Sequence, residues 1–236
     1  MADGHPVAVI TGAGSGIGRA TAVMLAQAGF ALVLVARTRE AVSETAALTG
    51  VTERVEVVGG DVGDAFQCKH MIARAVERFG RLDALINNAG LAPLLAIDKT
   101  DPETIDKVFR VNAMGPAWAI HHAWPIFVKQ NKGCIVNVGS MATFDPFPGF
   151  FAYAAAKAAV NLMAASCAKE GKPFNIRAFT VAPGAVETPM LRKIMPEQNL
   201  PTSKCLAPSD VAKVIVQCVL GERDSDNGKT IAIPSP

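Results

Sequence analysis

Tyrosine occurs once in this chain of 236 residues, tryptophan twice and histidine four times. The five cysteines (Cys68, Cys134, Cys167, Cys205 and Cys218) stand far apart and form no CxxC pair. Neither a zinc site nor a disulfide framework is expected from them, and no residue is a candidate metal ligand. Scattered thiols in odd number point instead to reduced cysteines and a cytoplasmic location. Net charge is only +2, with no Lys/Arg cluster along any segment, which argues against nucleic acid as a partner. No uninterrupted apolar run approaches a membrane span. The first residues, Met1 to Pro6, carry no basic stretch or cleavage site before the first apolar strand, so a leader is not expected.

Half of the residues are hydrophobic and 19% are charged, as in an ordinary α/β protein with a sizeable core. One domain over residues 1–236 is expected. Short apolar runs at Val7 to Ile10, Ala31 to Ala36, Arg54 to Val58, Leu82 to Ile86, Cys134 to Val138, Asn175 to Val181 and Lys229 to Ile233 read as buried strands. Helical patterns lie between them, at roughly 39–48, 64–79, 102–129, 152–169 and 208–220. Strands alternating with helices predict a doubly wound parallel sheet of about seven strands, helices on both faces, with ligands outside the carboxyl ends of the strands.

Chemistry-bearing residues fall at those strand ends. Thr11-Gly12-Ala13-Gly14-Ser15-Gly16-Ile17-Gly18 joins the first strand to a helix, an arrangement that sets backbone N–H groups and a helix N-terminus against a pyrophosphate. Asp61-Val62 follows the third strand, and Asn87-Asn88-Ala89-Gly90 ends the fourth; Asn side chains there can bond neighbouring strands. In the expected helix after Asp101, Pro116 has no N–H, which deprives the Asn112 carbonyl of its helical partner and makes a water-holding site or a simple kink. Ser140 ends the fifth strand. Tyr153 and Lys157 follow on an alanine-rich helix, one turn apart on one face. A free tyrosine is about 0.1% ionised at pH 7; a neighbouring ammonium favours the phenolate and suits it to exchange a proton with an alcohol or carbonyl oxygen. His121 and His122 sit mid-helix, away from the strand ends, and read as packing or surface residues.

In order and spacing, Thr11-Gly12-x-x-x-Gly16-x-Gly18, Asp61-Val62, Asn87-Asn88-Ala89-Gly90, Asn112, Ser140, Tyr153-x-x-x-Lys157 and Pro183-Gly184 resemble the short-chain dehydrogenase/reductase family over nearly the whole chain. The resemblance implies a Rossmann-type fold and a catalytic tetrad of Asn112, Ser140, Tyr153 and Lys157. Tyr153 would exchange the proton, Ser140 would hydrogen-bond the substrate oxygen, Lys157 would lower the Tyr153 pKa and hold the nicotinamide ribose, and Asn112 would hold a relay water through its main-chain carbonyl. It implies a cofactor site of Gly12, Ser15, Gly16, Ile17, Gly18, Arg37, Asp61, Val62, Asn88, Ala89, Gly90, Tyr153, Lys157, Pro183, Gly184, Val186 and Thr188.

Where NAD-preferring relatives place an acidic residue after the second strand, this chain has Ala36, followed by Arg37 and Arg39. A guanidinium can grip a 2′-phosphate, so NADP is the expected cofactor, with NAD possible and Arg37 alternatively a solvated strand-end residue. The expected function is an NADP(H)-dependent oxidoreductase of a carbonyl/alcohol pair. Two alternatives stand beside it: a 3-oxoacyl-thioester (acyl-carrier) reductase, and a dinucleotide-binding regulatory protein without turnover. Met141, Phe144, Phe147, Phe150 and Phe151 suggest an apolar pocket wall, or ordinary core under a loop, and thus a largely apolar small-molecule substrate. Residues 189–206, with three prolines, look like a lid. The 152–169 helix lacks a clear polar face, which predicts a homodimer or homotetramer through it and the 102–129 helix, or burial by a neighbouring helix.

Overall fold

Val7–Thr11 (β1) is buried at every position, and the glycine turn after it leads into the helix Gly16–Gln27 (α1). The computed structural model describes residues 4–236; residues 1–3, on which part of the reading of the N-terminus rested, lie outside them. The chain continues through Ala31–Ala36 (β2), Arg39–Leu48 (α2), Val55–Gly59 (β3), Ala65–Phe79 (α3) and Ala84–Asn87 (β4). Then come Pro102–Phe109 (α4), Gly115–Gln130 (α5), Gly133–Val138 (β5), Phe151–Gly171 (α6), Ile176–Pro183 (β6), Pro189–Ile194 (α7), Pro208–Leu220 (α8) and Thr230–Ile233 (β7). All seven strands pair in parallel, in the order β3-β2-β1-β4-β5-β6-β7.

Why these runs form a parallel sheet follows from what covers it. Successive strand residues point to opposite faces. Val7, Val9, Val33, Val35, Leu85 and Ile135 pack into one layer with α3, α5 and α6. Ala8, Ile10, Leu32, Leu34, Ile86 and Val136 pack into the other, with α1, α2 and α8. With both faces covered, each strand reads as a near-continuous apolar run rather than an alternation. The strand order reverses between β1 and β4, and the crevice at that switch point lies outside the strands' carboxyl ends.

The expected single helix over 102–129 is divided. α4 passes through a π-helical turn, Arg110–Met114, before α5 begins, and the Gly115 N–H reaches back five residues to the Arg110 carbonyl. The reason is Pro116: without an N–H, and with a ring that crowds the preceding turn, it cannot continue an α-helical ladder through Asn112. The widened turn accommodates it where a simple kink was the alternative. Asn112 lies inside that turn and is fully buried.

Phe151–Phe174, which is α6 with its following turn, has the length and mean hydropathy (1.2) of a membrane-crossing helix, although Lys157 and Asn161 interrupt it. It is partly buried, with Val160, Ala164 and Cys167 turned inward, as suits a helix lying against its own sheet.

Candidate active site

The glycine turn after β1 folds back on itself. Gly12 has a left-handed backbone (φ +66°), and a Cβ on Gly18 would fall 2.3 Å from the Gly12 carbonyl oxygen and 2.5 Å from Asn88 Nδ2. Only hydrogen fits there. Asn88 ties the turn to the end of β4: its Nδ2 donates to the carbonyls of Thr11 (2.8 Å) and Gly12 (3.1 Å), while Thr11 Oγ1 accepts from the N–H groups of Asn88 and Ala89. Asn87, by contrast, bonds the buried Asn137 side chain of β5 (3.0 Å).

Two residues not singled out from the sequence fix the turn from behind. Arg19 Nη2 donates to the Gly14 carbonyl (2.6 Å) and Thr45 Oγ1 to the Ala13 carbonyl (2.9 Å). In a trans peptide the C=O and the following N–H point oppositely, so these bonds turn the N–H groups of Gly14 and Ser15 away from α2. Ser15 caps α1 with no side-chain hydrogen bond, and no acid occupies the first turn. α3 and α4, in contrast, are capped by the carboxylates of Asp64 and Asp101. The open N-terminus of α1 fits a pyrophosphate, which its N–H groups and dipole favour.

Around Gly90 the other half of the site converges. A Cβ there would lie 3.1 Å from Asn112 Oδ1, 3.6 Å from Lys157 Nζ and 3.8 Å from Met190 Cε. The Asn112 side chain is fully engaged, accepting from Leu91 N–H and donating to the carbonyls of Leu91 (2.7 Å) and Val108 (2.9 Å). Lys157 is buried and donates to the Val138 carbonyl at 2.7 Å. Tyr153, in the first turn of α6, packs its ring 5.0 Å from that of Phe150. Ser140 caps a short turn, Met141–Thr143, its Oγ accepting from Ala142 N–H. Behind it a directed chain runs from Asn161 Nδ2 to Thr143 Oγ1 (3.0 Å) and from the Thr143 hydroxyl to the Ser140 carbonyl (2.9 Å).

The pattern over residues 6–199 matches the family model described as short chain dehydrogenase. The chain belongs to that family. The short-chain dehydrogenase is 35% identical to a 3-oxoacyl-[acyl-carrier-protein] reductase, FabG, of Thermotoga maritima, over 96% of this chain and 95% of that protein. Its fold is similar to that of a 3-ketoacyl-(acyl-carrier-protein) reductase from Brucella melitensis complexed with NADH (27% identity, TM-score 0.90, covering 97% of this chain and 96% of that one). It is similar too to ElxO with NADP bound (26% identity, TM-score 0.89, covering 98% and 97%). The family uses NAD(P), and the turn at Gly12–Gly18 is where this dehydrogenase's own residues suit the cofactor's pyrophosphate.

Burial pushes the Tyr153 phenol above its ordinary pKa, with the Ser140 hydroxyl acting the other way. Tyr153 keeps some surface exposure, but the enclosure of its phenol disfavours a phenolate. Burial also brings Lys157 down to about 8, so its ammonium is itself costly to maintain.

The remaining expected contacts fall into two groups. Thr188 reaches the glycine turn: a Cβ on Gly16 would come 2.9 Å from Thr188 Cγ2. Pro183 and Gly184 end β6, and buried Val186 pairs with Leu206 in a parallel bridge. On the other side, Ala36 approaches Gly14, Arg37 is exposed beyond it, and Asp61 turns its carboxylate onto the Gly63 N–H (2.9 Å). Residues 189–206 include the helix α7, capped by Thr188, and are closed by the Val186–Leu206 bridge and an Arg192–Glu187 ion pair. Phe144, Phe147 and Phe151 are exposed, so the reading of the 141–151 aromatics as ordinary core does not hold.

Proposed function

We propose that the protein is an NADP(H)-dependent oxidoreductase that interconverts a largely apolar carbonyl compound and its alcohol. The observation that carries this reading is the convergence of Asn112, Lys157 and Met190 on Gly90 while Ser140 and Tyr153 flank the same crevice. When bound, the nicotinamide supplies the hydride chemistry. Tyr153 holds the proton for the substrate oxygen; a phenol is protonated at neutral pH, and burial favours that neutral form. Ser140 hydrogen-bonds that oxygen, in a position fixed by the Thr143–Asn161 chain. Lys157, held by Val138, lies in reach of the nicotinamide ribose and favours Tyr153 losing its proton in the alcohol direction. The Asn112 side chain is spoken for, which leaves its main-chain carbonyl to hold a relay water. Arg37 and Arg39, with no carboxylate partner among the described residues, suit a 2′-phosphate. Residues 189–206 act as the lid, with Met190 on its underside.

The active form is a homodimer or homotetramer. α6 carries an exposed apolar stripe of Phe151, Ala155, Ala158 and Leu162, the last 74% exposed, so no neighbouring helix of its own chain covers it. A cavity of about 530 Å³ lies alongside, lined by Ile120, His121, Trp124 and Cys167 among others, away from the strands' carboxyl ends.

A second reading, a 3-oxoacyl-thioester reductase, is favoured by the similarity to the Thermotoga maritima reductase. The experiment is a panel of ketones, aldehydes and 3-oxoacyl thioesters, each tested with NADPH and NADH, for wild type and Tyr153→Phe. Turnover that falls about 10²–10⁴-fold in Tyr153→Phe while cofactor affinity stays is the expected result. Cofactor binding with no turnover across the panel identifies a regulatory dinucleotide-binding protein instead.

A further inference from the structure

Between Ser140 and Tyr153 the chain carries Asp145-Pro146-Phe147-Pro148-Gly149-Phe150. Phe150 N–H donates to the Phe147 carbonyl at 3.0 Å, with Pro148 and Gly149 between them and Gly149 at φ +93°. Proline second and a left-handed glycine third is the signature of a type II turn. The two phenylalanines are therefore the ends of a stiff turn, and their rings meet edge to face at 6.4 Å. Phe150 in turn packs on Tyr153 at 5.0 Å. Three rings thus run in sequence from the phenol outward to Phe147, which is 69% exposed.

The turn is pinned as well as stiff. The Gly149 carbonyl accepts from Leu95 N–H at 3.0 Å, and a Cβ on Gly149 would fall 2.8 Å from Leu94 Cδ1. Charge is sparse along this wall. The 91–97 segment has none, the 141–151 segment has only Asp145, and Asp98 and Lys99, which follow the first segment, pair with each other. A row of exposed aromatic rings held by a turn costs little entropy when a ligand arrives. Its faces and edges suit another π system rather than a charged or strongly hydrated group.

We propose that Phe147 and Phe150 form a stacking wall that selects neutral carbonyl substrates bearing an aryl or fused-ring substituent, with the carbonyl at Tyr153 and the ring lying outward along Phe150 and Phe147. This rests on the carbonyl–alcohol reading above. The wall assigns specificity to Phe147, whose ring stands two aromatic contacts outward from Tyr153.

The test compares 2-acetylnaphthalene with butanone, reading the ratio of kcat/KM between them in wild type, Phe147→Ala and Phe147→Leu. Because Phe147 is exposed, neither variant is expected to lose the fold. Wild type is expected to favour the aryl ketone, and the ratio to fall about 10-fold or more in Phe147→Ala, the scale on which apolar pocket contacts discriminate. Leu, which keeps apolar bulk without a π face, should restore less than half of that loss on a logarithmic scale. A ratio unchanged in both variants, or full restoration by Leu, overturns the aryl assignment. If Phe147→Ala lowers the oligomer mass and leaves the ratio alone, the wall is a contact between copies and the proposal falls. Equilibrium binding of 2-acetylnaphthalene to the NADP-loaded protein separates the two layers. Binding that weakens in Phe147→Ala without any turnover in wild type keeps the wall and refutes the reductase reading. Turnover with no dependence on Phe147 does the reverse.

Discussion

Lys157 Nζ donates to the Val138 carbonyl oxygen at 2.7 Å, joining the middle of α6 to the end of β5. The bond locks the helix in the register that sets Tyr153 beside Ser140. It also holds an ammonium where burial lowers its pKa from 10.5 to about 8. Between those two values the unfolded chain keeps a proton that the folded protein has released. Stability therefore rises with pH across that window and is lost as pH falls through about 8. Compared with Lys157→Met, wild type is expected to gain stability between about pH 8 and about pH 10.5, by on the order of 3 kcal/mol at most. Urea unfolding of both proteins at several pH values measures it; parallel curves would contradict the buried ammonium.

Gly18→Ala is expected to break the cofactor turn. The added methyl has no room against the Gly12 carbonyl, which is backbone and cannot swing aside. Overpacking of this kind costs about 1–3 kcal/mol, and for a chain of this size each kcal/mol lowers the midpoint by about 2–4 °C. NADPH affinity, followed by its fluorescence, should drop at least about tenfold as the turn is displaced. Normal affinity in a stable variant would show that the turn does not hold the pyrophosphate.

The cofactor corner makes a third test. Charge-assisted hydrogen bonds contribute about 1.5–3 kcal/mol each, so one or two from Arg37 should favour NADPH over NADH by roughly tenfold or more. Ala36→Asp combined with Arg37→Ala is expected to move the preference toward NADH, because the carboxylate accepts ribose hydroxyls and repels a 2′-phosphate. Steady-state kinetics with both cofactors decides it. Equal use of the two by wild type would refute the assignment to Arg37.

Light scattering at micromolar concentration is expected to give a dimer or tetramer mass. Leu162→Glu, placed on the exposed stripe of α6, should shift the protein toward monomer, since a charge buried without a partner opposes association. A monomeric wild type would leave the stripe without the proposed occupant.

The sequence by itself determined the strands and the order of β/α units. Apolar runs broken by glycine and asparagine at strand ends are local signals, and the (i, i+4) spacing of Tyr153 and Lys157 is a property of any helix. Pro116 was legible as a disturbance at Asn112 because it removes a donor in every context. How the helix would absorb that loss was not, because the π turn holds Asn112 where its side chain bonds Leu91, a residue distant in sequence. Arg19, Thr45, Thr143 and Asn161 gave no signal in the sequence, since their meaning lies in which carbonyl each happens to face. The burial of Tyr153 was hidden for the same reason: a lysine one turn away is visible in the sequence, whereas desolvation, here with Phe150 packed on the ring, depends on the whole surrounding volume. Spacing along the chain fixed which groups could meet; only the tertiary structure decided what surrounds them.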